Sequence, residues 1–151
     1  MADVWNKYAN TAARKHGKPG RELRPKSLTL DMHSHVAVPR VAEIVTPHLK
    51  QSTDPLVADS TPETQALMAK QAADIRTRMS TTDERFAVMD EMGVDMQLIC
   101  PAPPQIYYYL PLDVGVQAAR ALNDGIAEYV GKHKDRLVAL GGVPMQDGNE
   151  A

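Results

Sequence analysis

Ser27-Leu28-Thr29-Leu30-Asp31-Met32-His33-Ser34-His35-Val36 begins as an alternating, partly apolar run and ends in polar residues. It reads as a buried strand with a functional end. Strand side chains alternate with period two, so His33 and His35 share one side while Met32 and Ser34 face the other. Asp31 has the same parity as the histidines. Two neutral imidazoles on one side make half of a metal site. A bare His-x-His is also what an ordinary polar strand end looks like, so its neighbours must decide.

Working outward, Pro39-Arg40 takes the chain out of the strand. Residues 41–60, with Pro47 and Pro55, read as a long excursion of the kind that is functional or partly helical. A helix is expected from Pro62 to Arg76, with Thr61 as cap and Pro62 in the first helical position. A second is expected from Thr82, where Thr81 and Glu84 have capping-box spacing, with Phe86, Met89 and Met92 as its apolar stripe and Gly93 as its stop. Val94 to Cys100 reads as a strand ended by Pro101, Pro103 and Pro104. A third helix is expected over 113–132 with Asp113 as cap, and Ala119, Leu122, Ile126 and Tyr129/Val130 recur at helical spacing. Arg136 to Val143 reads as a last strand before Gly141-Gly142 and Pro144 give way to a turn.

Strands alternating with helices imply parallel βαβ units. Three strands alone leave two sheet edges unsatisfied. The expectation is therefore a portion of a larger α/β fold, completed by further chain, an oligomer or a rearrangement.

Composition narrows the function. The net charge of −2 gives no general attraction to nucleic acid or an anionic membrane. No apolar stretch approaches the ~18 residues of a membrane span, so no membrane partner is expected. Residues 1–26 lack a signal peptide's apolar segment and read as a polar, basic arm, with Trp5 and Tyr8 as anchors on the body or a partner subunit. The single cysteine, Cys100, excludes an internal disulfide and fits a reducing cytoplasm. It reads as a small apolar core residue, with no neighbouring base to activate it. His133 reads as a helix-end residue and His16 as an exposed one.

Asp31-Met32-His33-Ser34-His35 resembles the first-strand signature of the amidohydrolase superfamily. So do Arg85 through Met89-Asp90, Gly93-Val94-Asp95-Met96-Gln97, Cys100-Pro101-Ala102-Pro103, Ala121-Leu122-Asn123-Asp124, Arg136-Leu137 and Val143-Pro144-Met145-Gln146-Asp147. These stretches are most similar to the branch related to 2-amino-3-carboxymuconate-6-semialdehyde decarboxylase. The resemblance covers residues 28–151 and implies the N-terminal portion of a (β/α)8 TIM-like barrel, truncated after about three strands, because such barrels usually need ~250 residues. It implies His33 and His35 as the first two ligands of a divalent metal, Zn2+ or alternatively Mn2+. Asp31 is then a partner that orients an imidazole.

The family's remaining ligands and its proton-transfer residue come from later strands, and His48 and His133 do not match them. The activity implied for the intact protein is non-oxidative decarboxylation of an unsaturated or aromatic small-molecule carboxylate. A hydrolase or hydratase of the same superfamily and a catalytically inactive fragment are the alternatives. Arg76 or Arg78 is the candidate cation for the substrate carboxylate, since guanidinium matches carboxylate geometry; an exposed helix-end arginine is the plainer reading of each. Tyr107, with Tyr108 and Tyr109, either lines an aromatic pocket or covers a subunit interface. A homo-oligomer, a dimer, is expected of the full-length protein.

Overall fold

The computed structural model describes residues 28–50 and 58–151. The basic arm, with Trp5, Tyr8 and His16, and the middle of the 41–60 excursion lie outside the described residues. Strand β1 spans Leu30–Val36 and is followed by helix α1, Pro39–Val45. Helices α2, Pro62–Ser80, and α3, Asp83–Met92, lead to strand β2, Met96–Pro101. Helix α4, Leu112–Gly131, returns the chain to strand β3, Leu137–Ala139. The three strands form one parallel sheet in the order β1-β2-β3. This is the expected α/β alternation, with β2 in the centre.

The main core lies between this sheet and helices α1 and α4. Val114, Ala118, Ala121, Leu122 and Ile126 recur at helical spacing on α4 and are buried. They join Val36 and Ile99 from the sheet, Leu137 from β3, and Val41 and Val45 from α1. Gly125 marks a close approach in this layer, because a Cβ there would run into Val38 Cγ1.

Several boundaries differ from the sequence reading. Pro39 does not end the structured region but opens α1: proline suits a first helical turn, and Val41 and Val45, four apart, turn one face to the core. Helix α2 runs four residues past Arg76, to Ser80, and has no buried residue. Thr61 caps it as expected, its hydroxyl accepting from Thr64 N–H. The Glu63 carboxyl in that first turn is held below the ordinary carboxylate range by its own backbone N–H and by the Thr61 hydroxyl.

The capping box at α3 does not form. Thr81 Oγ1 instead donates to Thr77 O at the end of α2, and Thr82 takes the cap position without a side-chain bond. Gly93 stops α3 with φ of 71°, a conformation that favours glycine. Pro111, not Asp113, precedes the first turn of α4. Strand β3 is only three residues long, because Asn123 captures both backbone groups of Gly142: Oδ1 accepts from Gly142 N–H and Nδ2 donates to Gly142 O, each at 2.8 Å.

Candidate metal centre

The histidine pair sits on a bulged strand. Leu30 and Asp31 stand opposite Met96 and Gln97, while Ser34 and His35 stand opposite Ile99 and Cys100. Met32 and His33 therefore face the single residue Leu98, one extra residue on β1. Bulges shift the alternation and re-aim side chains. Asp31 and Ser34, three residues apart, end up in one hydrogen-bonded network with Gln97. His35, next to Cys100, lies on the opposite face, because Gln97 and Cys100 have opposite parity along β2.

This corrects the placement of Asp31 beside the imidazoles. Its Oδ1 accepts from His33 backbone N–H at 3.1 Å and its Oδ2 accepts from Gln97 Nε2 at 2.9 Å. The carboxylate thus holds the backbone at the bulge.

The imidazoles of His33 and His35 stay together, with ring centroids 5.0 Å apart and planes at 83°. His35 Nδ1 is 3.1 Å from the carbonyl oxygen of Pro101, at the end of β2. A carbonyl only accepts, so Nδ1 carries the proton and Nε2 presents its lone pair. A backbone carbonyl on the far nitrogen is the usual way a metal-binding histidine is oriented. The spacing also fits a shared ion. Two imidazoles whose nitrogens lie ~2.1 Å from one metal, at a near-tetrahedral angle, have centroids roughly 5 Å apart.

The donor set present is chemically suited to a divalent cation but incomplete. Among the described residues no group of three His, Cys, Asp or Glu side chains is placed to hold an ion. His48 is exposed at the end of the turn Thr46–His48, and His133 stacks edge-on against Phe86 beyond α4.

Cys100 is not the isolated core residue expected. Its Sγ lies 3.3 Å from His35 Nδ1 and 3.5 Å from Ser34 O. Pairing of β1 with β2 brings His35 and Cys100 side by side.

Two depressions meet at His35. One, of about 230 Å³, is walled by Cys100, Ile106, Tyr107, Tyr108, Leu122 and Pro144 among others. The second, about 320 Å³, is lined by His33, Ser34, His35, Arg78, Arg85 and Gln97 among others. Tyr107 therefore faces the first cavity, and Arg78 reaches the groove of the histidines, whereas Arg76 borders neither. Arg78 also makes a loose pair with Glu84, Nε to Oε2 3.7 Å, between two exposed side chains. Such a pair stabilises little and is easily exchanged for another carboxylate.

Amide side chains shape the loops around the first cavity. Gln105 captures both backbone groups of Val38 at 2.8 Å, tying the loop after β2 to the exit of β1. Gln146 Nε2 donates to Tyr107 O at 3.1 Å, against Gly115 at the start of α4. Sequence reading missed both, since a loop glutamine carries no signature of its bonding partner.

No family model and no curated protein matches the sequence. Solved structures do. The fold is shared with amidohydrolase-superfamily decarboxylases. A dihydroxybenzoic acid decarboxylase from Polaromonas sp. JS666, with bound manganese and the inhibitor 2-nitroresorcinol, matches 82% of the chain at 21% identity and TM-score 0.59. A 5-carboxyvanillate decarboxylase from Sphingomonas paucimobilis matches 80% at 27% identity and TM-score 0.57. One from Novosphingobium aromaticivorans, with bound manganese, matches 89% at 22% identity and TM-score 0.62. The chain spans only about a third of each, 32%, 36% and 37% respectively. Its sheet is thus the α/β start of a TIM-like barrel. Among the described residues no helix is long and apolar enough to cross a membrane.

Proposed function

We propose that the chain supplies the first two metal ligands of a divalent-metal-dependent, non-oxidative decarboxylase acting on aromatic or unsaturated carboxylates. The observation that carries this reading is the His35 imidazole. It is held by the Pro101 carbonyl with Nε2 bare and stands 5.0 Å from the ring of His33 at the end of the first strand. The manganese bound by two of the structural neighbours supports a divalent ion, with Mn2+ and Zn2+ as the candidates. His33 and His35 would hold the ion, which when bound would supply positive charge and Lewis acidity to the substrate.

The chain's own residues do the rest of what this portion contributes. Pro101 O keeps the His35 proton on Nδ1. Tyr107, Tyr108 and Ile106 line the first cavity with apolar surface that suits a ring. Arg78 offers a guanidinium to a carboxylate in the groove of the histidines, once parted from Glu84. The outer edges of β1 and β3 have no strand partner among the described residues, which supports completion of the sheet by further strands. The single cysteine suits a cytoplasmic setting.

The test is an assay of residues 1–151 alone and of a longer gene product carrying them. Each is loaded with Mn2+ or Zn2+ and offered 2,6-dihydroxybenzoate and 5-carboxyvanillate. The expected result is CO2 release by the longer product and none by 1–151, because a catalytic centre usually takes three protein ligands. Lactone or ring opening without CO2 would replace the decarboxylase with a hydrolase, and turnover by 1–151 would refute the need for further ligands.

A further inference from the structure

We infer that Arg85 is the positioning residue of the histidine pair, reaching from α3 to clamp the bulged backbone of β1. The inference rests on the metal reading above and adds a residue to it. Arg85 opens α3 in a helix whose other first-turn residues are acidic and exposed, yet it is only 7% exposed. Burying a guanidinium is costly unless its donors are satisfied. Here four bonds converge on it. Nη2 donates to His35 O at 2.6 Å, Nη1 donates to Ser34 Oγ at 2.8 Å and to Gln97 Oε1 at 2.9 Å, and Nε donates to Tyr129 Oη at 3.1 Å.

The network runs on from both ends. Gln97 passes it to Asp31, whose other oxygen takes the His33 N–H. Tyr129 Oη donates to Thr81 O at 2.9 Å, fixing the guanidinium to the junction of α2 and α3. On β1 the backbone at both histidines is therefore tied to Arg85, at His35 directly and at His33 through Gln97 and Asp31. The planar fork is what allows three acceptors on two strands to be held at once; an ammonium cannot reproduce it. Arg85 touches neither imidazole, so its effect passes through the backbone.

Arg136 provides an internal control. It is buried to a similar degree, 8% exposed, and donates to Asp95 O and Asp90 Oδ1 without reaching β1. The experiment measures Zn2+ affinity by calorimetry and the His35 ring nitrogens by 15N NMR in the parent chain, Arg85→Met, Arg85→Lys and Arg136→Met. Circular dichroism confirms that each sample is folded. Arg85→Met is expected to weaken Zn2+ binding by about tenfold or more, the effect of losing an orienting partner. It should also move the His35 nitrogens away from the Nδ1–H form.

Arg85→Lys keeps the buried charge, guards against loss of folding in the methionine variant, and is expected to lose affinity to a smaller extent. Arg136→Met should leave both readouts unchanged. Parental affinity and parental nitrogen signals in folded Arg85→Lys and Arg85→Met overturn the inference, as does an equal loss in Arg136→Met. A parent chain that binds no Zn2+ overturns the metal reading itself, which the variant series separates from failure of the Arg85 clamp alone.

Discussion

His35→Ala is expected to weaken binding of Zn2+ to the chain by at least about 100-fold, the upper end of what removing a mere orienting partner costs. Two imidazoles give a labile site, so loss of one leaves a single monodentate ligand with no chelation. His33→Ala should do the same, because the two rings stand 5.0 Å apart and neither is replaced by a third donor among the described residues. His48→Ala and His133→Ala serve as controls. One lies at an exposed turn and the other against Phe86, and both should bind as the parent does. Isothermal calorimetry reads the difference. Parental affinity in His35→Ala would mean that the ion sits elsewhere.

Ile99→Ala is expected to cost about 2–5 kcal/mol, the range for removing a fully buried aliphatic side chain and leaving a cavity. Ile99 is completely buried in the central strand and packs in the cluster shared by α1 and α4. Its backbone lies between Ser34 of β1 and Ala139 of β3. Domains of this size are stable by only about 5–15 kcal/mol, so one such change removes a large share. Met32→Ala, at a side chain 63% exposed, should stay within about 0.5 kcal/mol. Urea unfolding followed by circular dichroism checks both. The site is coupled to this core, because the carbonyl that orients His35 belongs to Pro101, two residues beyond Ile99.

Periodicity made much of the fold legible. The strands appear where apolar runs end in proline or glycine, and the expected α4 stripe keeps Leu122 and Ile126, while Val114 and Ala118 rather than Ala119 are buried ahead of them. Helix α1 was hidden because Pro39 reads both as a strand breaker and as a helix opener, and only the burial of Val41 and Val45 decides between them. The pairing of His33 with His35 followed from strand alternation, but the side of Asp31 did not. Alternation predicts the same side, and a bulge at Met32-His33, which depends on pairing with Leu98, reverses it.

Arg85 was the least visible element of the candidate site. An arginine in a first helical turn looks like a solvated residue, and the sequence hint lies elsewhere, in Gln97, a polar residue inside an apolar strand that must find partners when buried. Likewise, Gln105 and Asn123 each satisfy both backbone groups of a single distant residue, Val38 and Gly142. Such contacts depend on tertiary placement alone.

Addition of substoichiometric Mn2+ to the parent chain, followed by proton NMR of its five histidines, tests the two-histidine centre most directly. A paramagnetic ion broadens the resonances of the rings it visits, even where binding is weak. The ring signals of His33 and His35 are expected to broaden together and first, while those of His48 and His133 remain sharp. Uniform broadening of all the histidines, or selective broadening at any ring other than these two, would contradict a divalent-metal site on the first strand.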